Sequence, residues 1–490
     1  MNIKLKSLDK YTKLSIIIIL IGIIIRFYLA SVHHVAGDAC WQLSNSRFIA
    51  DSLKLPLFEQ FGRDEPFWPP PLFHIVAAVV YLIFKSEFAV KMISPVFGSL
   101  TLVLFLVISK KLFNKKIALY SLIFLAFIPL HLDYSVFSYI DGMLTFLAVL
   151  SVYFALKNNV IGAGIASGLA ILTKYNGIFI LPVLFYVIYN NNKNRRIFLK
   201  KIFILFLISI LLGSIWFMRN WNYLGNPVWP FMNDLFDGIK VKSFAESSVG
   251  AVKLSNIFNI NAVKFIYLGI FGVPDGNIST LHFFNIPYIN ILFVIWLLGT
   301  FIFSIPFVTG IISKKLKHRK LLLIWIAAYI ILVLLYVVNA SWSVSRFLLP
   351  AFPAIALIWG HGIVNLKNKT LKNMLVFILA LIILGFILTS FIKISFAAKA
   401  WDFYKEDFEW VKQNTKKDTI FLTGSQCISY NIQRQTNALG KADYAFVNQN
   451  FKLDRLAIFG DGLLSEIKVK GTAVYNNNKT KTMVYKINQS

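Results

Sequence analysis

Acidic and basic side chains gather where long apolar runs of this chain end, and such a mixture could transfer a group at a membrane surface. Asp38 lies a few residues beyond the apolar run 14–32, and Asp141 begins another run. Lys174 and Arg346 also border apolar runs. A carboxylate can take a proton from an attacking group, and cationic side chains can hold a leaving phosphate as its charge grows. One aspartate with two or three basic residues is therefore enough to displace a phosphate from the anomeric carbon of a sugar.

The ionisable residues at these ends form a larger set, and each has an alternative structural role. The set comprises Asp38, Arg47, Arg63, Asp64, Glu65, His74, His131, Asp133, Asp141, Lys174, Arg219 and Arg346. Asp38 and Asp141 could cap the helices that they begin. Lys174 could extend to the lipid interface, and Arg219 could bind a lipid phosphate. Because the middles of the apolar runs are nearly free of charge, a transporter with ionisable groups near the bilayer midplane is disfavoured.

The apolar composition indicates that these residues stand beside a membrane. Of the 490 residues, 57% are hydrophobic, the mean hydropathy is +0.67, and apolar runs of spanning length recur. The net charge of +28 lies largely in short loops between the runs, which is typical of cytoplasmic loops. No nucleic-acid recognition motif accompanies this charge. We therefore expect a multi-pass protein of the plasma membrane that contacts the lipid bilayer and has no nucleic-acid partner.

The alternation of apolar runs and basic loops predicts about eleven spans, with a cytoplasmic N-terminus and an external C-terminus. The side of the membrane assigned to the later loops depends on the short run 72–84. If it crossed the membrane, the basic cluster 110–116 would fall outside; if it lies along the outer surface, the cluster falls inside. Thirteen apolar residues are also few for a span. We therefore predict that this run is an external surface helix.

The loops and the C-terminal region complete the predicted organisation. Residues 1–395 form a transmembrane domain, whose first external loop covers residues 34–90 and includes a juxtamembrane helix from Asp38. A large external loop covers residues 218–287. Residues 396–490 alternate as helices and strands do. The predicted fold class is thus a polytopic α-helical membrane protein with a small extracytoplasmic α/β domain at its C-terminus.

Cysteine and histidine usage points away from a metal cluster. Cys40 and Cys427 are the two cysteines of the chain, too few for a disulfide framework. Both face outside in the predicted topology, so one bridge between them is compatible with the sequence, and their pairing is left open. His33 and His34 are adjacent, and neighbouring side chains point apart on a helix or a strand.

Taken together, these segments resemble the polyprenyl-phosphate-dependent glycosyltransferases of the GT-C class. The resemblance rests on "GDACW" (37–41), "WPPPLFH" (68–74), "DYSVFSYIDGMLTF" (133–146), "GLAILTKYNGIFILP" (168–182), "RNWNYLGNPVWPF" (219–231) and "SRFLLPAFP" (345–353). Their order and spacing over about residues 10–360 are similar to those of protein O-mannosyltransferases and of the aminoarabinose transferases of lipid A.

The resemblance implies an activity and residue roles. Members of the class transfer a sugar from dolichyl or undecaprenyl phosphate to an extracytoplasmic acceptor, and a direct displacement inverts the anomeric centre. By this likeness, Asp38 would be the catalytic base, and Lys174 with Arg219 or Arg346 would bind the donor phosphate. The further substrate-binding candidates are Asp141, Trp41, Arg63, Glu65 and His74.

The chain departs from the pattern of the class, so neither the acceptor nor a metal is carried over. Ala39 follows Asp38 where protein O-mannosyltransferases usually show Asp-Glu, and Phe67 and Trp68 precede the prolines where relatives often carry a charge. The acceptor is left open as protein, lipid or glycan, and a divalent metal is left open as a cofactor. Two alternatives remain: a transporter or flippase of lipid-linked glycans, and a non-catalytic glycan-assembly protein.

Overall fold

Apolar runs separated by basic or turn-forming loops fold into helices in the computed structural model. The structure describes residues 9–59, 66–240, 260–272, 289–336, 345–423, 426–437, 442–448 and 471–487. The helices before the large external loop are α1 (Lys10–Val32), α2 (Asp38–Ser52), α3 (Leu72–Phe84), α4 (Glu87–Lys91), α5 (Ile93–Leu112), α6 (Lys115–Phe127), α7 (Pro129–Tyr134), α8 (Asp141–Leu156), α9 (Val160–Thr173), α10 (Leu181–Asn191) and α11 (Arg195–Leu224). The later helices are α12 (Asn233–Phe236), α13 (Ile260–Phe271), α14 (Ile289–Ile312), α15 (Arg319–Tyr336), α16 (Phe352–Asn365), α17 (Lys369–Asp402), α18 (Lys405–Asn414) and α19 (Gln426–Ile432), with 3₁₀ turns at Tyr175–Ile180 and Ser345–Ala351.

Short polar residues begin several of the long apolar helices. The Asp9 side chain accepts hydrogen bonds from the backbone N–H groups of Tyr11 and Thr12 at the start of α1. Asparagine side chains cap four other helices in the same way, namely Asn114, Asn159, Asn194 and Asn368. Such caps satisfy N–H groups that lack a partner in the first turn. The chain therefore fixes where each of these helices starts.

The apolar runs predicted as spans all fall on helices in the described residues. Five helical segments are long and apolar enough to cross a membrane, and they are Lys10–Val32, Glu87–Leu112, Arg195–Leu224, Ser345–Asn365 and Lys369–Ser395. The shorter apolar helices are Leu72–Phe84, Asp141–Leu156, Val160–Thr173 and Leu297–Ile312. The predicted polytopic helical fold is confirmed, whereas the count of eleven spans stays a prediction.

Helix α16 lies at the centre of the bundle, between α6 and α14. Two glycines allow this close approach. A Cβ on Gly360 would lie 2.2 Å from the Ser121 hydroxyl of α6, and one on Gly362 would lie 1.8 Å from the Pro306 carbonyl oxygen of α14. The 3₁₀ turn Ser345–Ala351, which leads into α16, is therefore built on the most enclosed helix of the bundle, and it carries Arg346.

The first external loop contains two helices that pack against each other. The predicted juxtamembrane helix is α2, but its residues from Ala39 to Ser46 are all buried, because α3 and α19 cover it. Helix α3 has 13 residues, about 20 Å at 1.5 Å per residue, which is shorter than the apolar core of a bilayer. The surface orientation predicted for this segment stays a prediction.

The C-terminal region is the predicted small α/β domain. Its strands are β1 (Ile420–Leu422), β2 (Gln435–Asn437), β3 (Tyr444–Asn448), β4 (Gly471–Asn477) and β5 (Thr482–Ile487). The sheet order is β2-β1-β3-β5-β4, with β1 parallel to β2 and β3 and with β5 antiparallel to β3 and β4. Helix α17 continues without a break from the last apolar run to Asp402. The domain therefore stands directly on a transmembrane helix.

Candidate active site

Asp38 is placed by the unusual start of α2. Gly37 occupies the N-cap position with φ +61° and ψ −139°, a conformation that favours glycine, and a Cβ there would lie 3.0 Å from the Tyr139 hydroxyl. Asp38 is thus the first helical residue, directly after the N-cap position. Its Oδ2 accepts a hydrogen bond from Nη2 of Arg346 at 2.9 Å, and the positive end of the α2 dipole also favours its charge.

A second ion pair lies beside the first. Asp141 begins α8, where Ile140 holds the N-cap position, and its Oδ1 accepts from the Lys174 ammonium at 2.7 Å. The Asp141 side chain is 2% exposed and that of Lys174 14% exposed. Lys174 follows α9 directly and lies 4.3 Å from the centre of the Phe347 ring. The pair therefore joins the start of one helix to the end of the next.

The two ion pairs form one electrostatic unit, here called the charge cluster (Asp38, Asp141, Lys174 and Arg346). Burial lowers the pKa of Lys174 to about 8, although Asp141 opposes this shift, and Arg346 and Asp38 act on the same ammonium. The cluster contains two acids and two cations, so its net charge is zero when all four are ionised. Ion pairs of this kind offset the large penalty of burying each charge alone.

Polar atoms of the cluster remain without a hydrogen-bond partner among the residues that the structure describes. Asp141 Oδ2 and Arg346 Nε are buried in this way. Buried polar atoms in native proteins are normally hydrogen-bonded. The cluster can therefore accept a hydroxyl donor at Asp141 and offer an N–H to an anion at Arg346, which suits a sugar phosphate.

Aromatic rings that the sequence reasoning did not select as site residues shape the cluster. The Arg346 guanidinium lies over the rings of Tyr139 at 5.2 Å and Phe347 at 5.7 Å. Burial and the Asp38 carboxylate raise the pKa of the Tyr139 hydroxyl, so it stays protonated and neutral. The sequence feature that could have identified Tyr139 is its position two residues before Asp141. Phe347 follows Arg346 directly.

Arg219 lies among a different set of contacts. Its guanidinium donates to the carbonyl oxygens of Phe67 at 2.8 Å and Pro56 at 2.9 Å, and it stacks over the Trp216 ring at 4.6 Å. These carbonyls belong to the first external loop. Arg219 therefore connects α11 to that loop, whereas Arg346 is the arginine that the structure brings to Asp38.

Trp41 and His74 belong to an aromatic cluster beneath the first external loop. The His74 ring meets those of Trp41 at 5.8 Å and Phe67 at 5.0 Å edge to face. His74 is 0% exposed, and its ring nitrogens have no hydrogen-bond partner within the described ranges. The other two substrate-binding candidates, Arg63 and Glu65, lie outside the described residues.

Acidic and basic residues outside the charge cluster hold the helices around it. Asp133 accepts from Ser390 at 2.7 Å and from Lys393 at 2.9 Å. His131 is hydrogen-bonded to Arg26 at 2.9 Å, and Arg26 is a fully buried cation within α1 that the sequence reasoning missed. Short helix α7 is thus bound to both α1 and α17, which fixes the chain segment that leads to Tyr139.

Few of the described side chains near the charge cluster are of the types that bind metal ions. Among the described residues, no group of three or more histidine, cysteine, aspartate or glutamate side chains could hold a metal ion. Asp38 and Asp141 are each paired with a cationic side chain, and the rings of His33 and His34 contact Phe137 and Trp401 respectively. The positive charge at this site comes from Lys174 and Arg346.

Solved structures of membrane glycosyltransferases have a similar fold. ArnT from Cupriavidus metallidurans bound to undecaprenyl phosphate aligns with a TM-score of 0.64 at 13% identity, over 96% of this chain and 97% of that one. The apo oligosaccharyltransferase from Archaeoglobus fulgidus gives 0.56 at 15% identity, over 99% and 75%. The same archaeal enzyme, AglB, with an inhibitory peptide and a dolichol-phosphate gives 0.53 at 14% identity, over 98% and 75%.

A family model also matches part of the chain. The model for the family described as dolichyl-phosphate-mannose-protein mannosyltransferase matches residues 68–218, a stretch that includes Asp141 and Lys174. No curated protein matches the chain. This partial family match and the shared fold agree with the resemblance noted in the sequence.

Proposed function

We propose that this chain transfers a sugar from a polyprenyl phosphate to an acceptor on the extracytoplasmic side of the membrane. The observation that carries the proposal is the charge cluster, in which Asp38 meets Arg346 beside the pair of Asp141 and Lys174. The similar folds support it, because ArnT was solved with undecaprenyl phosphate and AglB with dolichol-phosphate and a peptide. The acceptor is a hydroxyl or amine of a protein, lipid or glycan.

Lys174 and Arg346 act on the donor phosphate. In the structure their positive charges face carboxylates, and a phosphate entering the cluster replaces Asp38 as the partner of Arg346 and binds Lys174 beside Asp141. Charge-assisted bonds from a planar guanidinium and an ammonium suit phosphate oxygens. As the bond between the anomeric carbon and the phosphate oxygen breaks, its electron pair moves to that oxygen, and these two cations stabilise the developing charge.

Asp38 acts on the acceptor. Once Arg346 binds phosphate, the Asp38 carboxylate is released to take the proton from the attacking hydroxyl or amine. The acceptor atom bonds to the anomeric carbon as the polyprenyl phosphate leaves, so the configuration inverts. A single displacement needs no second carboxylate as a nucleophile. Asp141 instead holds Lys174 in place and binds a sugar hydroxyl through Oδ2. Trp41, His74, Arg63 and Glu65 are proposed to shape the substrate site.

The predicted topology places this chemistry outside the cytoplasm. Cys40 and Cys427 form a disulfide, and disulfides persist in oxidising compartments. Both cysteines lie on the same side of the bundle as the charge cluster, since Cys40 is two residues from Asp38. We infer that the charge cluster and the C-terminal domain face the exterior and that the N-terminus faces the cytoplasm.

The test compares Asp38→Asn with the wild type at matched membrane levels in the native host. Removing a general base lowers turnover by about 100-fold or more, so we expect one sugar to disappear from a defined glycan, lipid or protein when cell-surface glycans are measured by mass. Asp51→Asn makes the same change at an exposed position of α2 and should leave the profile intact. A profile unchanged in Asp38→Asn but altered in a deletion strain would contradict a catalytic Asp38 and favour a non-catalytic assembly role.

A further inference from the structure

The C-terminal domain contacts the helix that carries Asp38 through one short element, α19, here called the docking helix (Gln426–Ile432). Two of its residues, Cys427 and Tyr430, belong to the apolar cluster formed by the transmembrane domain and the first external loop. Two others, Ile428 and Ile432, lie in the core of the C-terminal domain. The docking helix is therefore shared between the two cores.

The first two residues of the docking helix hold the residues on either side of Asp38. The Gln426 amide donates to the Gly37 carbonyl at 3.0 Å, and Cys427 forms the disulfide with Cys40. Gly37 precedes the catalytic carboxylate and Cys40 follows it by two positions. Gly37 is in a conformation that only glycine adopts readily, and glycine is the most flexible residue of a chain. The hydrogen bond to Gly37 and the disulfide at Cys40 therefore help to fix the backbone direction at Asp38.

Tyr430, later in the docking helix, also contacts the transmembrane domain and the first external loop. The Tyr430 hydroxyl donates to Glu87 Oε2 at 3.1 Å, and Arg47 of α2 donates to Oε1 of the same carboxylate at 2.8 Å through Nε. The Arg47 guanidinium also lies over the Tyr430 ring at 5.5 Å. Next to it, His34 stacks on Trp401 with ring centres 5.0 Å apart. Tyr430 of the docking helix thus contacts both α2, at Arg47, and α4, at Glu87.

We infer that the C-terminal domain positions the catalytic base, with Gln426 and the Cys40–Cys427 disulfide as its positioning elements. This inference rests on the proposed function of Asp38. The domain fixes Gly37 and Cys40, these fix the first turn of α2, and the first turn aims the Asp38 carboxylate at the charge cluster. Small errors in the position of a reacting group reduce turnover strongly. Transfer to the acceptor therefore depends on Gln426 and Cys427, about 390 positions away from Asp38 in the sequence. Donor binding by Lys174 and Arg346 does not depend on them.

The experiment uses the full chain in two variants, Gln426→Glu and the double variant Cys40→Ser with Cys427→Ser. Glutamate keeps the size of glutamine but loses the donor to Gly37. We expect sugar transfer in the native host to fall about tenfold in each variant, while binding of undecaprenyl phosphate by the purified protein stays within about twofold. Gln426→Lys, which keeps an N–H donor, should recover most of the transfer. Lys412→Ala, on the surface of the same domain, is the matched control.

A second measurement reports on Asp38 itself and does not depend on turnover. Carbodiimide-driven labelling of carboxyl groups, read by mass spectrometry, compares Asp38 with Asp51 of the same helix. Gln426→Glu, the double cysteine variant and the reduced wild type should each label Asp38 several-fold faster relative to Asp51, and reductant should not change the double variant further. Unchanged labelling and unchanged transfer would overturn the inference. A wild type that transfers no sugar while labelling changes as expected would instead overturn the proposed function.

Discussion

At the scale of single residues, the candidate site contains two cationic side chains whose positions are fixed by ion pairs. Lys174 is paired with Asp141, and Arg346 with Asp38, at 2.7 and 2.9 Å. The pair of Lys174 and Asp141 neutralises a buried carboxylate, which is costly to bury alone, whereas the Asp38 side chain is 36% exposed. The same bonds keep the cations in the positions where a phosphate would meet them, so the charge cluster is organised before the donor arrives.

The pKa of Lys174 predicts how donor binding depends on pH. Burial lowers this pKa to about 8, so the ammonium is charged below that pH and is lost as the pH rises through it. The affinity for undecaprenyl phosphate should therefore fall between pH 7 and 9.5, by about tenfold for one lost charge-assisted bond. The phosphate itself is already fully ionised for most of this range.

The matched variant for this measurement is Lys174→Arg, because a guanidinium stays charged at all of these pH values. Its affinity should be flat from pH 7 to 9.5 when binding is titrated in nanodiscs at constant ionic strength. If the wild type and Lys174→Arg gave the same pH profile, Lys174 would not be the group whose charge holds the phosphate.

At the scale of elements, helix ends bring the site together. Asp38 and Asp141 begin α2 and α8, Lys174 follows α9, and Arg346 lies in the 3₁₀ turn before α16. Arg219 belongs to this scale too, since it holds both flanks of the segment between Pro56 and Phe67 by their backbone carbonyls. These contacts favour a role in shaping the first external loop, and phosphate binding by Arg219 stays a prediction.

A variant of Arg219 separates this loop role from phosphate binding. Arg219→Met keeps an apolar stem over Trp216 and removes the donors to both carbonyls. We expect faster proteolysis within the first external loop and binding of undecaprenyl phosphate within about twofold of the wild type, since lost backbone contacts act on the loop and not on the donor. Arg196→Met, at the exposed start of the same helix, is the control. A loss of binding as large as that of Lys174→Met would show instead that Arg219 contacts the phosphate.

At the scale of the whole molecule, the predicted topology places the two ends of the chain on opposite sides of the membrane. Asn114 and Asn194 cap helices at the end of the bundle that carries basic loops. The charge cluster and the C-terminal domain lie at the opposite end of the bundle. Positive loops remain in the cytoplasm. Each side can therefore be assigned by chemical labelling.

The native cysteines are paired, so one added cysteine can be labelled selectively. Lys479→Cys lies in an exposed turn between β4 and β5, and Arg196→Cys lies at the start of α11. In intact cells a membrane-impermeant maleimide should react with the first variant and with the second only after lysis. The opposite pattern would reverse the topology and place the charge cluster in the cytoplasm.

Much of this architecture follows from local sequence patterns, whereas the partners within the site do not. Apolar runs and basic loops predict the helices, and the position of Asp38 at the end of a run predicts its place at a helix end. The pairing of Asp38 with Arg346, and not with Arg219, joins residues 308 positions apart, so it depends on how the helices pack. The contact between Gln426 and Gly37 spans nearly the entire chain, and no local pattern encodes such a pairing.

The disulfide has one further consequence for the covalent structure of the chain. Cys40 and Cys427 are separated by 387 positions, so most of the polypeptide forms a closed covalent ring. A protease that cuts one exposed loop within this ring opens it without releasing either fragment, and the cleaved chain would still migrate as one species on a non-reducing gel. The C-terminal domain thus stays covalently attached to the first external loop after any single cut between the two cysteines.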